Sequence, residues 1–341
     1  MTEFLFEVSI FASKVFICIT LIGILIMILG SALSEHKKWK KKKKLEVEDI
    51  GDKLESYRLT IQSCTHSEKT VKKQIKNIKK EKKKEDNAEK PRAYVLNFEG
   101  DVEASQVHLL REEISILLKT ADPKKDEIIV KLNNRGGLVP NHGLGASQLA
   151  RLRDKGFYLT VCVDEVAGSG GYLMACVANK ILAAPFAVIG SIGVLAQIPN
   201  FYKLLQKQNV DYEEHYAGEH KRTVTLFGKV TEEKRQKLRE QLEEIHTHFK
   251  DYILKYRPKV QLSKIATGEH WLGTKAKELD LVDDIITSDD YILSVLDKKA
   301  VYEVSLKEEQ LKGLQRLLSK KIEHILTSSL FIFKKWFKKY F

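Results

Sequence analysis

The chain has 341 residues, enough for one large domain or two small ones with appendages, and its formal net charge is +12. The charge is uneven, because residues 37–92 carry +10 and residues 301–341 carry +5, whereas residues 93–300 carry −1. A nucleic-acid-binding domain bears basic residues on its folded part, so this distribution argues against nucleic acid and favours a membrane surface as partner.

The cysteines and histidines indicate no metal site. Cys18, Cys64, Cys162 and Cys176 lack C-x-x-C spacing and form no paired framework. Cys162 and Cys176 lie in apolar runs and are predicted to be core thiols. The ten histidines are scattered, and no phosphate-binding Gly-Lys-Ser/Thr loop occurs. We therefore expect neither a metal ion nor a cofactor.

The first 36 residues are predicted to anchor the chain in a membrane. Val15 to Leu33 is a run of 19 uncharged residues, long enough to cross about 30 Å of hydrocarbon as a helix. The alternative is a cleaved signal peptide, since Gly30-Ser31-Ala32 has small residues at suitable spacing. Glu3 and Glu7 precede the run, and the run exceeds the usual apolar length of a signal peptide, so a retained helix is favoured.

A lysine cluster follows the anchor directly. Seven of the eight residues 37–44 are lysines, which marks the cytoplasmic side under the positive-inside bias. This predicts a single-pass protein of the bacterial inner (plasma) membrane, in contact with the lipid bilayer, with its main domain in the cytoplasm. The alternative is a periplasmic domain. Residues 37–91 are predicted to be a basic linker, helical or disordered, because they combine dense charge with few apolar residues.

Residues 92–300 have the composition of a globular domain in which strand-like and helix-like segments alternate. This alternation predicts an α/β fold with a parallel sheet and flanking helices. The predicted strands are 93–98, 127–132, 157–163, 181–185, 188–192 and 210–215. The predicted helices are 104–118, 145–153, 170–179, 199–208 and 231–256.

The tail, residues 301–341, differs from the domain before it. Aromatic and basic residues interleave from Phe331 to Phe341, which is typical of a helix in the bilayer interface. The alternative is a helix that packs on a neighbouring subunit. The tail is therefore predicted to contact either the membrane or a neighbouring subunit.

Ser169 is the candidate nucleophile, because it follows the predicted strand 157–163 and precedes a predicted helix. Gly168, Gly170 and Gly171 leave its hydroxyl open to a substrate. The same Gly-Ser-Gly-Gly pattern also occurs in ordinary loops. The N–H of Gly170 is one candidate donor to an oxyanion.

The turn Asn133 to Gly137 supplies further candidate donors, since it follows a predicted strand at the end of the sheet where sites form. A nucleophilic serine also needs a base. His142, His215 and His220 are candidates without an evident aspartate partner, and a lysine is the other choice. The residues alone do not decide between them.

Several motifs together resemble one family, the S49 peptidases, which are serine proteases of the signal peptide peptidase A and SohB type. The resemblance covers about residues 1–300, and the anchor with its lysine-rich linker is similar to the SohB branch. The motifs are Leu132 to Gly137, Val163 to Tyr172, Val188 to Val194, Ala217 to Thr223, Gly268 to Gly273 and Leu279 to Asp283.

The resemblance implies a fold similar to that of Clp protease and crotonase and a membrane-anchored serine endopeptidase. It implies Ser169 as nucleophile and Lys221 as general base, acting through an acyl-enzyme. Gly170 and either Gly136 or Gly137 are the implied oxyanion donors. It also implies a homo-oligomer with shared active sites, and peptide substrates such as membrane-protein or signal-peptide fragments.

Two other functions are compatible with the same scaffold. One is a crotonase-type thioester enzyme, which uses oxyanion donors but needs neither Ser169 nor Lys221. The other is a catalytically silent membrane scaffold whose basic segments bind lipid or a protein partner.

One motif departs from the family pattern. Asn134-Arg135 stands where Clp-like relatives commonly have Ser-Pro, so the turn before the double glycine differs from theirs.

Overall fold

The computed structural model describes Gly23 and residues 43–72, 75–76 and 91–308. Contacts divide the chain into two units, one formed by Glu46–Ser305 and the other by Met1–Leu45 with Leu306–Phe341. Within the described residues, every helix and strand below lies in the first unit, except for the outer ends of the first and last strands.

The described residues contain ten strands in one sheet. In chain order they are β1 Lys43–Asp49, β2 Arg92–Gly100, β3 Glu127–Asn134, β4 Tyr158–Val163, β5 Val166–Gly168, β6 Lys180–Ala183, β7 Val188–Gly190, β8 His270–Leu272, β9 Asp284–Ile285 and β10 Ala300–Glu308. The order across the sheet is β1-β10-β2-β3-β4-β6-β9, and β5, β7 and β8 form a branch that starts at β3.

The strand directions confirm the predicted parallel sheet at its centre and correct it at one edge. The pairs from β10 to β9 are parallel, as are β3–β5 and β5–β7. β8 is antiparallel to β7. β8 begins at His270, which pairs with Gly190 at the end of β7, so β8 runs back along β7 in the opposite direction.

Nine helices are named among the described residues. They are α1 Ile50–Thr65, α2 Val107–Thr120, α3 Val139–Asp154, α4 Gly170–Ala175, α5 Tyr202–Lys207, α6 Glu232–Tyr256, α7 Leu262–Ile265, α8 Gly273–Glu278 and α9 Ser288–Leu296. Side-chain oxygens of Thr231 and Thr287 accept main-chain N–H bonds at the starts of α6 and α9. Such caps fix where the helices begin.

The sheet is covered on both faces, which explains the apolar runs in its strands. Along β3, Ile128 and Val130 join a large core with α2, α3 and α4, whereas Ile129 joins a smaller core with α9 on the other face. Cys162 and Cys176 are buried, as predicted, in the smaller and the larger core respectively. Helices therefore flank the sheet, as the alternating sequence predicts.

Strand register brings three chain segments together at the carboxyl ends of the strands. Asn134, the last residue of β3, pairs with Ala167 of β5. Gly168, the last residue of β5, pairs with Gly190 of β7. The turn after β3 and the turn after β5 consequently lie side by side, at the edge of the sheet where sites were expected.

The structure corrects three sequence predictions. Residues 210–215 form no strand; Val210 and Tyr212 are exposed, and the described chain offers them no strand to pair with. The helix predicted over 170–179 ends at Ala175. The linker 37–91 contributes β1 and α1 in its described part, so it supplies an edge strand that its composition did not predict.

The predicted membrane anchor and the tail fall mainly on residues outside the description. Of the anchor, 15–33, only Gly23 is described, and of the tail, 301–341, only residues 301–308 are described. In the part of the chain that the structure describes, no helix is both long enough and apolar enough to cross a membrane.

Candidate active site

Ser169 lies between β5 and α4, where the chain leaves the sheet and enters a helix. Its φ and ψ angles are 51° and −118°, and a positive φ is uncommon for residues other than glycine. The Ser169 N–H donates to the carbonyl oxygen of Gly190 at 2.7 Å, which helps to hold this conformation. The structure therefore places the serine at the predicted strand-to-helix junction, partly exposed.

The turn after β3 packs directly against this serine. Gly136 has a φ of +85°, and a Cβ built on it would lie 2.8 Å from Ser169 Cβ and 2.7 Å from Gly168 O. A side chain at position 136 would therefore displace the serine turn. Two properties of glycine are needed here at once, its left-handed backbone and its lack of a side chain.

The three candidate oxyanion donors have different environments. The N–H of Gly136 donates to Asn134 Oδ1 at 2.8 Å. Gly137 and Gly170 both line a cavity together with Ser169, and among the described residues neither N–H group has a hydrogen-bond acceptor. All three glycines are thus close to the serine, but they are not equivalent as donors.

A cavity of about 410 Å³ opens beside Ser169. Its wall is mostly apolar and combines the two turns with α3, α4, α6 and the segment after β7. The lining residues are Gly137, Val139, His142, Gly143, Ala146, Ser147, Ser169, Gly170, Leu173, Gly193, Val194, Ile245, His248, Phe249 and Tyr252. Such a cavity suits an apolar side chain of a ligand.

The cavity wall contains no carboxylate and no amine among the described residues that line it. Its titratable groups are two histidines and Tyr252, and burial raises the pKa of the Tyr252 hydroxyl, which favours its neutral form. No group of three His, Cys, Asp or Glu side chains within the described ranges is arranged to hold a metal ion.

Lys221, the implied general base, does not line the cavity beside Ser169. It is exposed in the segment between α5 and α6, and its N–H donates to Gly218 O at 3.1 Å. His215 and His220 lie exposed in the same segment, and His215 Nε2 is 3.2 Å from Glu213 Oε2. The role of Lys221 therefore stays a prediction.

His142 is the one histidine candidate that lies at the serine. It is fully buried, and a Cβ built on Gly170 would lie 2.5 Å from its Cγ, so the ring packs on the Gly170 backbone. Its Nε2 is 3.1 Å from Asn134 Oδ1, and its Nδ1 is 3.0 Å from Leu138 O. Both partners are oxygen acceptors, so the N–H that a neutral imidazole carries is donated to the turn, and the ring is held there instead of serving as a base for Ser169.

Sequence reasoning missed the contributions of α6 and of the Asn134 side chain. Ile245, Phe249 and Tyr252 follow helical spacing on α6 and line the cavity. This apolar stripe within a charged helix is visible in the sequence, and it could have predicted that α6 packs against the site. The bond from Gly136 to Asn134 spans only two residues, as in an Asx-turn, so an asparagine two positions before a glycine was a local signal for it.

Two family models together match most of the chain. Residues 3–149 match the family model described as Peptidase family S49 N-terminal, and residues 151–302 match that described as Peptidase family S49. "Probable protease SohB" of Haemophilus influenzae is 44% identical over 316 residues, which cover 87% of this chain and 89% of that protein.

Two further proteins are similar. "Probable protease SohB" of Buchnera aphidicola subsp. Schlechtendalia chinensis is 43% identical over 306 residues, covering 86% of this chain and 99% of the relative. Among solved structures, the 1510-N membrane-bound stomatin-specific protease with a substrate peptide is 13% identical, with a TM-score of 0.40. That likeness covers 69% of this chain and 100% of the other.

Proposed function

This chain belongs to peptidase family S49, as its motifs predict, and we propose that it is a serine endopeptidase with Ser169 as the nucleophile. The observation that carries the proposal is the position of Ser169, strained and partly exposed at the mouth of an apolar cavity beside two unpaired N–H groups. A nucleophile, oxyanion donors and a substrate cavity are what acyl transfer requires. We also propose that the chain has the fold, similar to that of Clp protease and crotonase, that the family resemblance implies.

The proposed base is Lys221, supplied by a neighbouring copy of the chain. Two observations support this arrangement. The cavity wall offers no amine from its own chain, and Lys221 is exposed. The chain from residue 195 to residue 227, which includes Lys221, also exposes large apolar side chains that a second copy would cover: Leu195, Phe201, Leu204, Val210, Tyr212, Tyr216 and Phe227. Burial between subunits favours the uncharged amine, which is the form that acts as a base.

The reaction begins when neutral Lys221 takes the proton of the Ser169 hydroxyl. Ser169 Oγ forms a bond to the peptide carbonyl carbon, and the carbonyl electron pair moves to oxygen. N–H groups of Gly170 and of the turn after β3 stabilise that oxyanion. Lys221 returns the proton to the leaving amine as the C–N bond breaks. Water then attacks the acyl-enzyme by the same route and releases the acid.

The proposed substrates are extended peptides with small or apolar side chains, because the cavity beside Ser169 is mostly apolar and is lined by no carboxylate or amine. Residues 15–33 would anchor the enzyme in the bacterial inner membrane, and the lysines of 37–44 favour a cytoplasmic catalytic domain. Fragments of membrane proteins and signal peptides combine both requirements. We therefore propose membrane-associated peptide turnover.

Hydrolysis of internally quenched peptides by the full chain in detergent tests the proposal. Ser169→Ala and Lys221→Ala should each lower kcat by at least about 10³-fold. Ser191→Ala is a matched control, since Ser191 also has a positive φ, 53°, but does not line the cavity. Lys229→Ala is the control for an exposed lysine of the same segment. Full activity in Ser169→Ala would overturn the proposal.

A further inference from the structure

We propose that Asn134 and His142 are positioning residues that set the oxyanion site and make Gly137, not Gly136, the donor that the turn contributes. The inference rests on the proposed function. It assigns roles to two buried polar side chains that the Ser169 and Lys221 chemistry leaves unused. It also decides between the two glycines that the sequence left equivalent.

Asn134 removes Gly136 from the candidate donors. Its side chain is fully buried, and its Oδ1 accepts the Gly136 N–H at 2.8 Å. A buried N–H that already has an acceptor at this distance has no hydrogen left for a substrate. Gly137 lines the cavity with Ser169, whereas Gly136 does not. The free N–H of the turn is therefore that of Gly137.

His142 connects this turn to the second donor. Asn134 Oδ1 carries no hydrogen, so His142 Nε2 is the donor in their 3.1 Å contact. The same ring packs on the backbone of Gly170, where a Cβ would lie 2.5 Å from His142 Cγ. One imidazole thus touches both sides of the oxyanion site, and its position sets the spacing between the N–H groups of Gly137 and Gly170.

The surrounding residues leave room for the Asn134 side chain and contact it. A Cβ built on Gly100 would lie 2.3 Å from Asn134 Cγ, so the absence of a side chain there leaves the room that Asn134 fills. Asn134 Nδ2 lies 3.4 Å from Met174 Sδ of α4, the helix that Gly170 begins. Asn134 therefore has contacts with the turn after β3 and with the helix that follows Ser169.

Paired substitutions of His142 separate positioning from general stability. In His142→Gln, the amide nitrogen can replace Nε2 and keep the bond to Asn134, whereas in His142→Asn it can only replace Nδ1 and reach Leu138 O. We expect His142→Asn and Asn134→Ala to lower kcat at least about 10-fold, and His142→Gln to stay within about 3-fold of wild type. KM should change by less than about 3-fold in all three.

The second readout is the inhibition constant of a peptide aldehyde with an apolar terminal residue. Addition of Ser169 Oγ to the aldehyde carbon forms a tetrahedral adduct whose oxygen occupies the oxyanion site. Its affinity should fall in parallel with kcat, while KM for the matching substrate does not. A purely structural role would lower the melting temperature without this divergence. If Asn134→Ala does not fold, the His142 pair carries the test alone.

The outcomes are distinguishable from those of the proposed function. Folded His142→Asn and Asn134→Ala with wild-type kcat and aldehyde affinity would overturn the positioning roles and leave the serine peptidase standing. A wild-type protein that neither hydrolyses peptides nor binds the aldehyde would overturn both. A lower kcat and a weaker aldehyde affinity in His142→Asn, together with near wild-type values of both in His142→Gln, would support the inference.

Discussion

The N–H of Ser169 donates to the carbonyl oxygen of Gly190 at 2.7 Å, and this bond ties the serine turn to the neighbouring strand β7. It helps to hold a serine at a φ of 51°, a conformation that costs about 1–3 kcal/mol for a residue with a side chain. The strained residue lies between β5 and α4 and lines the cavity.

Ser169→Gly should therefore be inactive and yet more stable than Ser169→Ala. Glycine adopts a positive φ without penalty, so we expect it to raise the free energy of unfolding by about 1 kcal/mol relative to alanine, after its larger loss of backbone freedom. Urea unfolding of the two variants measures the difference. Equal or lower stability of the glycine variant would show that the serine turn is unstrained.

Gly136→Ala should destabilise the protein and abolish activity, since the new methyl group would lie 2.8 Å from Ser169 Cβ and from Gly170 N. Gly156→Ala is the matched control, because Gly156 has the same φ of +85° but no atom within 4 Å of its built Cβ. We expect a loss of about 1–2 kcal/mol for the control and at least about 3 kcal/mol for Gly136→Ala. Unfolding curves and peptide hydrolysis measure both. Similar losses at the two sites would contradict the close packing of the turns.

Mixed oligomers test whether Lys221 acts on a neighbouring subunit. Ser169→Ala and Lys221→Ala proteins should each be inactive alone, but in an equal mixture about one quarter of the sites would combine an intact serine with an intact lysine. Co-expression with two affinity tags, followed by purification of the mixed species, allows the hydrolysis rate to be measured. No recovered activity in a verified mixed oligomer would place both groups in one subunit. A mixture of Lys229→Ala with Ser169→Ala is the positive control, because Lys229→Ala subunits keep both Ser169 and Lys221.

The buried thiol of Cys162 should make the protein less stable at alkaline pH. Burial raises the pKa of Cys162 from 9.0 to about 12, so above pH 9 the unfolded chain loses the thiol proton while the folded chain keeps it. The free energy of unfolding should therefore fall with rising pH between about 9 and 12, by up to about 1.4 kcal/mol per pH unit for this group. Cys162→Ala should show a shallower decline in urea unfolding under reducing conditions. Identical slopes would contradict the burial of the thiol.

The sheet and the serine turn were predictable because their signals are local. Buried parallel strands appear as apolar runs, as in Ile128 to Val130, and the serine turn is marked by its flanking glycines. The strand predicted over 210–215 was wrong, because strand-like residues form no strand without a partner. The strands β8 and β9, with three and two residues, are too short to show a period.

The proposed choice of oxyanion donor was only partly predictable from the sequence. The bond from Gly136 to Asn134 is local, but the placement of this turn beside Ser169 depends on the register that pairs Asn134 with Ala167 and on the space left at Gly100, and neither has a local signature. His142 appeared in the sequence as a candidate base, but its nitrogens face oxygen acceptors on the turn. Lys221 could not be placed by local reasoning either, since one chain does not bring it to the cavity.

The most direct test of the central claim is covalent labelling of the full chain with a fluorophosphonate, followed by peptide mass spectrometry. The Ser169 oxygen should displace fluoride from phosphorus, and the adduct should map to the peptide that contains Ser169. Labelling should disappear in Ser169→Ala and persist in Ser191→Ala. A protein that hydrolyses peptides but carries the adduct at another residue, or no adduct at all, would contradict the assignment of Ser169 as the nucleophile.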